Sequence, residues 1–96
     1  MGRDLPIRSK VAMAENISKI LKSLHEGDRE AALPLLEDLK VRSIYLDEQI
    51  QHDVLAFTSL VLFQYDYDPW HKVSQDLQIA TDKLLEDMGF NPPSIP

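Results

Sequence analysis

A chain of 96 residues makes one small domain, because a second core would need roughly another 100 residues. Hydrophobic residues account for 44% and charged ones for 27%, the balance of a globular protein and not of a disordered tail. Ten Lys and Arg against 16 Asp and Glu leave a net charge of -6, which argues against nucleic acid as a direct partner, since a phosphate-binding surface needs clustered cations.

The absence of cysteine removes disulfides and thiolate metal ligands, and fits a reducing, cytoplasmic setting. Met1-Gly2 looks like the start of a myristoylation signal, but the sixth position is Pro6 and not Ser or Thr, so no lipid anchor is expected. Nor is there an apolar run of about 18 residues, the length a membrane span requires.

The first helix is expected from about Pro6, a residue suited to a first turn because its missing N–H costs nothing there. Ile7, Val11, Ala14, Ile17, Leu21 and Leu24 follow at spacings of three and four, with Glu15, Lys19, Lys22 and Glu26 opposite. Gly27 ends it. Asp28 then serves as the cap of a second helix, with Glu30 near the positive end of its dipole and Ala31, Ala32, Leu35, Leu36 and Leu39 at helical spacing. Pro34 stands beyond the first turn of that helix, which predicts a kink or a restart, and Lys40 to Leu46 reads as a connection.

The third helix is expected from near Asp47 to about Tyr65, with Ile50, Val54, Phe57 and Val61 as its main stripe. No charge falls between Val54 and Phe63, so this half of the helix reads as buried. The fourth helix reads as capped by Asp68 and begun by Pro69, with Trp70, Val73, Leu77, Ala80, Leu84 and Met88 facing inward and Thr81 the one polar residue among them. Gly89 ends it, Phe90 folds back on the last turn, and residues 91–96 form an extended Pro-rich tail.

These elements give an all-α chain, a small four-helix, mostly up-and-down bundle over residues 1–90, with the second helix kinked or short at Pro34. Leu24 to Leu39, with Glu26-Gly27-Asp28-Arg29-Glu30-Ala31-Ala32-Leu33 at its centre, resembles half of a tetratricopeptide-type helical hairpin. The resemblance spans about 16 residues and has no echo at a period of about 34, so it implies helix-hairpin chemistry alone.

Reactive machinery is not apparent in the sequence. The three histidines, His25, His52 and His71, form no His-Glu-x-x-His motif. Glu48 with His52, and Asp68 with His71, could each offer two ligands, whereas a zinc site needs three or four; no metal site is expected. His25 sits where it can cap the first helix, a role preferred to that of a pH sensor. No Gly-x-Ser-x-Gly elbow occurs, and Gly2, Gly27 and Gly89 are too scattered for a phosphate loop. The expectation is a non-enzymatic protein with no catalytic residue and no cofactor.

Two surfaces suggest binding instead. Tyr65, Asp66, Tyr67 and Asp68 place aromatics beside carboxylates at the start of the last connection, a docking point for a basic partner protein. Leu55, Leu62 and Phe63 point away from the main stripe of the third helix, and Ile79 away from that of the fourth, which marks a possible oligomer interface. The expected function is therefore binding of another protein, a basic one, in an inhibitor, immunity or regulatory role. The alternatives are a homodimeric structural or regulatory subunit joined through the third helix, or a small-ligand site between helices. That site would be lined by Phe57, Trp70 and Met88, with Thr58 or Thr81 as the polar anchor.

Overall fold

The computed structural model of the chain describes residues 4–67 and 74–90. Among these residues it contains four α-helices and no strand: α1 (Asp4–Glu26), α2 (Arg29–Ser43), α3 (Glu48–Tyr67) and α4 (Gln75–Asp87). The all-α four-helix class expected from the periodicity is the one observed. Glycine and short polar side chains set most of the boundaries. Gly27 and Gly89 both adopt positive φ, at 74° and 91°, which a residue without Cβ does at little cost. After each, the chain turns back on its helix: the Asp28 N–H donates to the Ser23 carbonyl at 2.8 Å and the Phe90 N–H to the Leu85 carbonyl at 2.9 Å. Asp28 Oδ1 accepts the Ala31 N–H, and Asp47 Oδ1 accepts the Ile50 N–H, so both carboxylates cap the helix that follows.

Pairwise contacts fix the directions. Asn16 Nδ2 donates to Asp38 Oδ2 across α1 and α2 at 2.6 Å, and Arg42 Nε donates to the same oxygen at 2.7 Å. The Tyr65 hydroxyl at the end of α3 reaches the Asp28 carbonyl at the start of α2. The Ser74 N–H, just before α4, donates to Gln64 Oε1 near the end of α3. Successive helices are thus antiparallel, and each packs on the next. α1 and α4 do not pack on one another to any comparable extent. The described residues make a slab of 42 × 32 × 19 Å, a serial array more than a closed barrel of four.

The core forms where three of the expected stripes run. Ile50, Val54, Phe57 and Val61 of α3 are fully buried, as are Leu77 and Leu84 of α4 and Ala32 and Leu39 of α2. In α1 the buried side is turned by roughly 80° from the stripe expected, at 100° per residue. Met13, Ile17, Ile20 and Leu24 are inside, together with Ser9, Asn16 and Ser23, while Val11 is exposed. The hydrophobic pattern could not show this, because small polar side chains occupy the inner face. Two of them have identified partners: the Ser23 hydroxyl donates to the Lys19 carbonyl one turn back, and the Asn16 amide donates to Asp38 on α2.

Three boundaries differ from those expected. α2 continues through Pro34 and on to Ser43, so the helix does not restart at Pro34 and Lys40 to Ser43 is not connection. Pro34 is exposed, as is Glu30, whose carbonyl loses its helical donor, so water can satisfy that group. Burial of Leu36, Leu39 and Ser43 beyond the proline offsets the defect. α4 begins at Gln75 under an extended Ser74 cap whose Oγ accepts the Leu77 N–H. A continuous helix from Pro69 is therefore excluded. The Asp68 cap, Trp70, Val73 and the 91–96 tail lie outside the described residues.

Two substitutions test this packing. Leu77→Ala should cost about 2–5 kcal/mol in urea unfolding, as a large-to-small change at a fully buried site. Thr58→Val should be neutral or stabilising by about 1 kcal/mol, because the Thr58 hydroxyl is enclosed and has no hydrogen-bond partner. A loss above about 1 kcal/mol on Thr58→Val would show that the hydroxyl is engaged.

Candidate functional site

The aromatic-acid segment is used to join helices. Tyr65 is only 7% exposed, and its hydroxyl donates to the Asp28 carbonyl at 3.2 Å. Burial, with the Asp28 carboxylate adding to it, pushes its phenol above the usual tyrosine range. Asp66 is exposed and takes a 2.9 Å ion pair from Arg29 of α2. These two residues, expected at a docking point, instead fasten the end of α3 to the turn between α1 and α2. Tyr67 is the last residue of α3, and Asp68 lies outside the described residues.

The outward side chains of α3 and α4 are where the helical arithmetic puts them. Leu55, Phe63 and Ile79 are 57%, 60% and 58% exposed. Leu62, grouped with them by the sequence reading, is half-buried and packs against the core. Ala56 and Ser59 are exposed between Leu55 and Phe63, so the outer face of α3 is uncharged from there to Asp66. Further exposed apolar residues escaped the sequence reading: Leu33, and Val41, Ile44 and Tyr45 at the end of α2 and its turn. Extending the α2 helix through Ser43 is the signal that finds Val41 and Ile44, since both then fall away from Leu36 and Leu39.

Charge is divided unevenly along the chain. Residues 1–45 hold 8 Lys and Arg against 7 Asp and Glu, whereas residues 46–96 hold 2 against 9. The α3–α4 half thus carries the whole net negative charge. Lys83, the one lysine or arginine described in that half, is engaged: its Nζ lies 3.1 Å from Asp87 Oδ2 and 3.9 Å from Asp53 Oδ1.

Asp53 is the unusual member of this group. It is only 4% exposed. Its Oδ1 accepts from Gln49 Nε2 at 3.2 Å, and no donor reaches Oδ2. Burial is the main reason its carboxyl titrates above the usual aspartate range, and a hydrogen bond shared with Asp87 adds to the effect. Asp87 moves below that range, first through the same bond and then through Lys83. The opposite directions belong to two neighbouring carboxyls that titrate as a pair.

The remaining polar candidates disperse. His25 and His52 are exposed at separate places, and His71 lies outside the described residues. Among the described residues no three His, Asp or Glu side chains gather as a metal site would require, and no helix is long and apolar enough to cross a membrane. Phe57 and Met88 belong to the packed core, and the Thr81 hydroxyl donates to the Leu77 carbonyl. Trp70, the other wall of the supposed ligand site, is outside the described residues.

The pH response follows from the Asp53–Asp87 pair. A carboxyl that holds its proton more tightly in the fold favours folding in acid and loses that contribution as pH rises through its folded value. One that holds it less tightly contributes above its unfolded value and loses this in acid. Acidification from neutrality should first strengthen the α3–α4 joint through Asp53 and then weaken it through Asp87. Asp53→Asn should therefore raise the melting temperature near pH 7 and reduce the rise that mild acidification brings. A lower melting temperature near pH 7 would mean that attraction to Lys83 outweighs the burial cost. Compared with protein-family models, with curated proteins and with solved structures, the chain matches none.

Proposed function

We propose that this protein acts by binding another protein, a basic one, through the outer side of α3 and α4, in an inhibitory, immunity-type or regulatory role and without catalysis. The observation that carries the reading is the coincidence of two properties in one half of the chain. Residues 46–96 hold 9 acidic and 2 basic residues, and the same half presents Leu55, Phe63 and Ile79 to solvent. Negative charge steers a cationic partner into encounter, and exposed apolar side chains give the contact its holding area. The cysteine-free sequence fits a cytoplasmic setting.

A second reading, a homodimer joined through α3, draws on the same exposed Leu55 and Phe63. Sedimentation at low and high concentration separates the two, because a concentration-dependent dimer insensitive to salt would favour self-association.

The charge-steered reading is tested by capture from source-cell extract on immobilised protein, followed by elution in a salt gradient. Wild type should retain a basic protein that salt releases. Asp76→Lys combined with Glu86→Lys, two exposed positions of α4, should lose it while stability changes by no more than about 0.5 kcal/mol. Retention indifferent to salt and to both reversals would count against the reading.

A further inference from the structure

We infer that the partner element is a cationic amphipathic helix, laid along the outer seam between α3 and α4 with its apolar stripe on Ala56, Phe63 and Ile79. This rests on the reading that the protein binds another protein.

The register of the seam is set by two contacts. Ser74 N–H meets Gln64 Oε1 at one end, and Lys83 Nζ lies 3.9 Å from Asp53 Oδ1 at the other. Between these ties, antiparallel pairing brings Ile79 level with residues 58–59 of α3, within the span from Ala56 to Phe63. The same ion pair identifies the sides that adjoin. Asp53, Ala56, Leu60 and Phe63 recur at three and four residues along the α3 edge nearest α4, and Ile79 stands one turn before Lys83 on the outward side of α4, away from buried Leu77 and Thr81. Large exposed side chains therefore rim the seam, while Ala56 and Ala80 keep its middle shallow. From Ala56 to Phe63 is about 10 Å at 1.5 Å per residue, matched by two turns of an incoming helix. An apolar stripe at i, i+3, i+4 and i+7 is what such a trough accepts.

Charge selects the sign of the ligand. Asp76 and Glu86 are exposed one turn before and two turns after Ile79, and Glu48 is exposed near the start of α3, whereas Asp66 at its other end is paired with Arg29. The one described lysine in this half is already held between Asp53 and Asp87. A cationic helix thus finds carboxylates at the ends of the seam and a lysine that two carboxylates neutralise, whereas an acidic helix would meet repulsion along its length.

The probe is a fluorescein-labelled synthetic peptide of about 18 residues, five helical turns, with leucine along one face and lysine elsewhere. Its controls are the same composition scrambled to break the helical period, and a glutamate-for-lysine version. Fluorescence anisotropy with the full chain should show binding at least about tenfold tighter for the periodic peptide than for the scrambled one, and none for the acidic one. Ile79→Ser and Ala56→Arg should each weaken it about tenfold, with circular dichroism confirming that both remain helical. Leu33→Ser, on α2, should leave it unchanged. Equal binding of the scrambled peptide, or equal loss on Leu33→Ser, would reduce the effect to diffuse charge attraction and overturn the inference. So would the absence of peptide binding, and so would a dimer that covers the seam. If the extract still yields a salt-released partner when no peptide binds, the broader reading stands and only the helical ligand is excluded.

Discussion

Ile50, Val54, Phe57 and Val61 repeat along α3 at helical spacing, and all four are withdrawn from water on a side that meets α2 in one direction and α4 in the other. The last helix has no other broad attachment. A residue such as Phe57 contributes on the order of 2–3 kcal/mol through burial alone, so this inner face outweighs any surface ion pair. The polar ties around it do different work. Tyr65 to Asp28, Arg29 to Asp66 and Gln64 to Ser74 select the register in which the apolar faces meet. Exposed pairs such as Arg29–Asp66 contribute only about 0–1 kcal/mol to stability, but their geometry fixes which turn faces which.

That division between energy and register also explains what was legible in the sequence. Periodicity located the four helices and the inner faces of α3 and α4, because large apolar side chains decide those positions. Gly27, Gly89, Asp28 and Asp47 marked ends through backbone chemistry that acts locally. α1 was misjudged by a rotation because Ser9, Asn16 and Ser23 are buried there, and a hydrophobicity pattern counts them as outside. Pro34 overstated the break in α2 because the lost bond falls on the solvent side, where it costs less. Ser74 was passed over because Asp68-Pro69 offers the more familiar start signal; Ser74 caps α4 in an extended conformation and its N–H is also tied to Gln64 of α3.

The functional residues divide in the same way. Outward-pointing Leu55, Phe63 and Ile79 followed from helix geometry alone, since no partner within a chain this thin is needed to place them. Tyr65 and Asp66 looked like free docking groups because their partners, Asp28 and Arg29, lie almost forty positions away in sequence, with |i−j| of 37. The buried carboxyl of Asp53 was equally invisible: it sits one turn from Gln49 and faces α4, and only the packing of two helices removes it from water. Charge segregation needs no structure to count, yet it acquires meaning beside Leu55, Phe63 and Ile79, the exposed apolar side chains of the acidic half, whereas Leu33, Val41, Ile44 and Tyr45 are exposed in a half without excess negative charge.

Serial packing has a consequence for variation. α1 and α4 each rest on a different neighbour and share no broad contact, so a change in one reaches the other mainly through two intervening helices. Perturbations at sites well separated and without common partners combine nearly additively. The outward flank of α4 can accordingly be reshaped toward new ligands without retuning the opposite end of the slab. Its hold on α3 must survive each change, and the rest of the molecule imposes little further restraint.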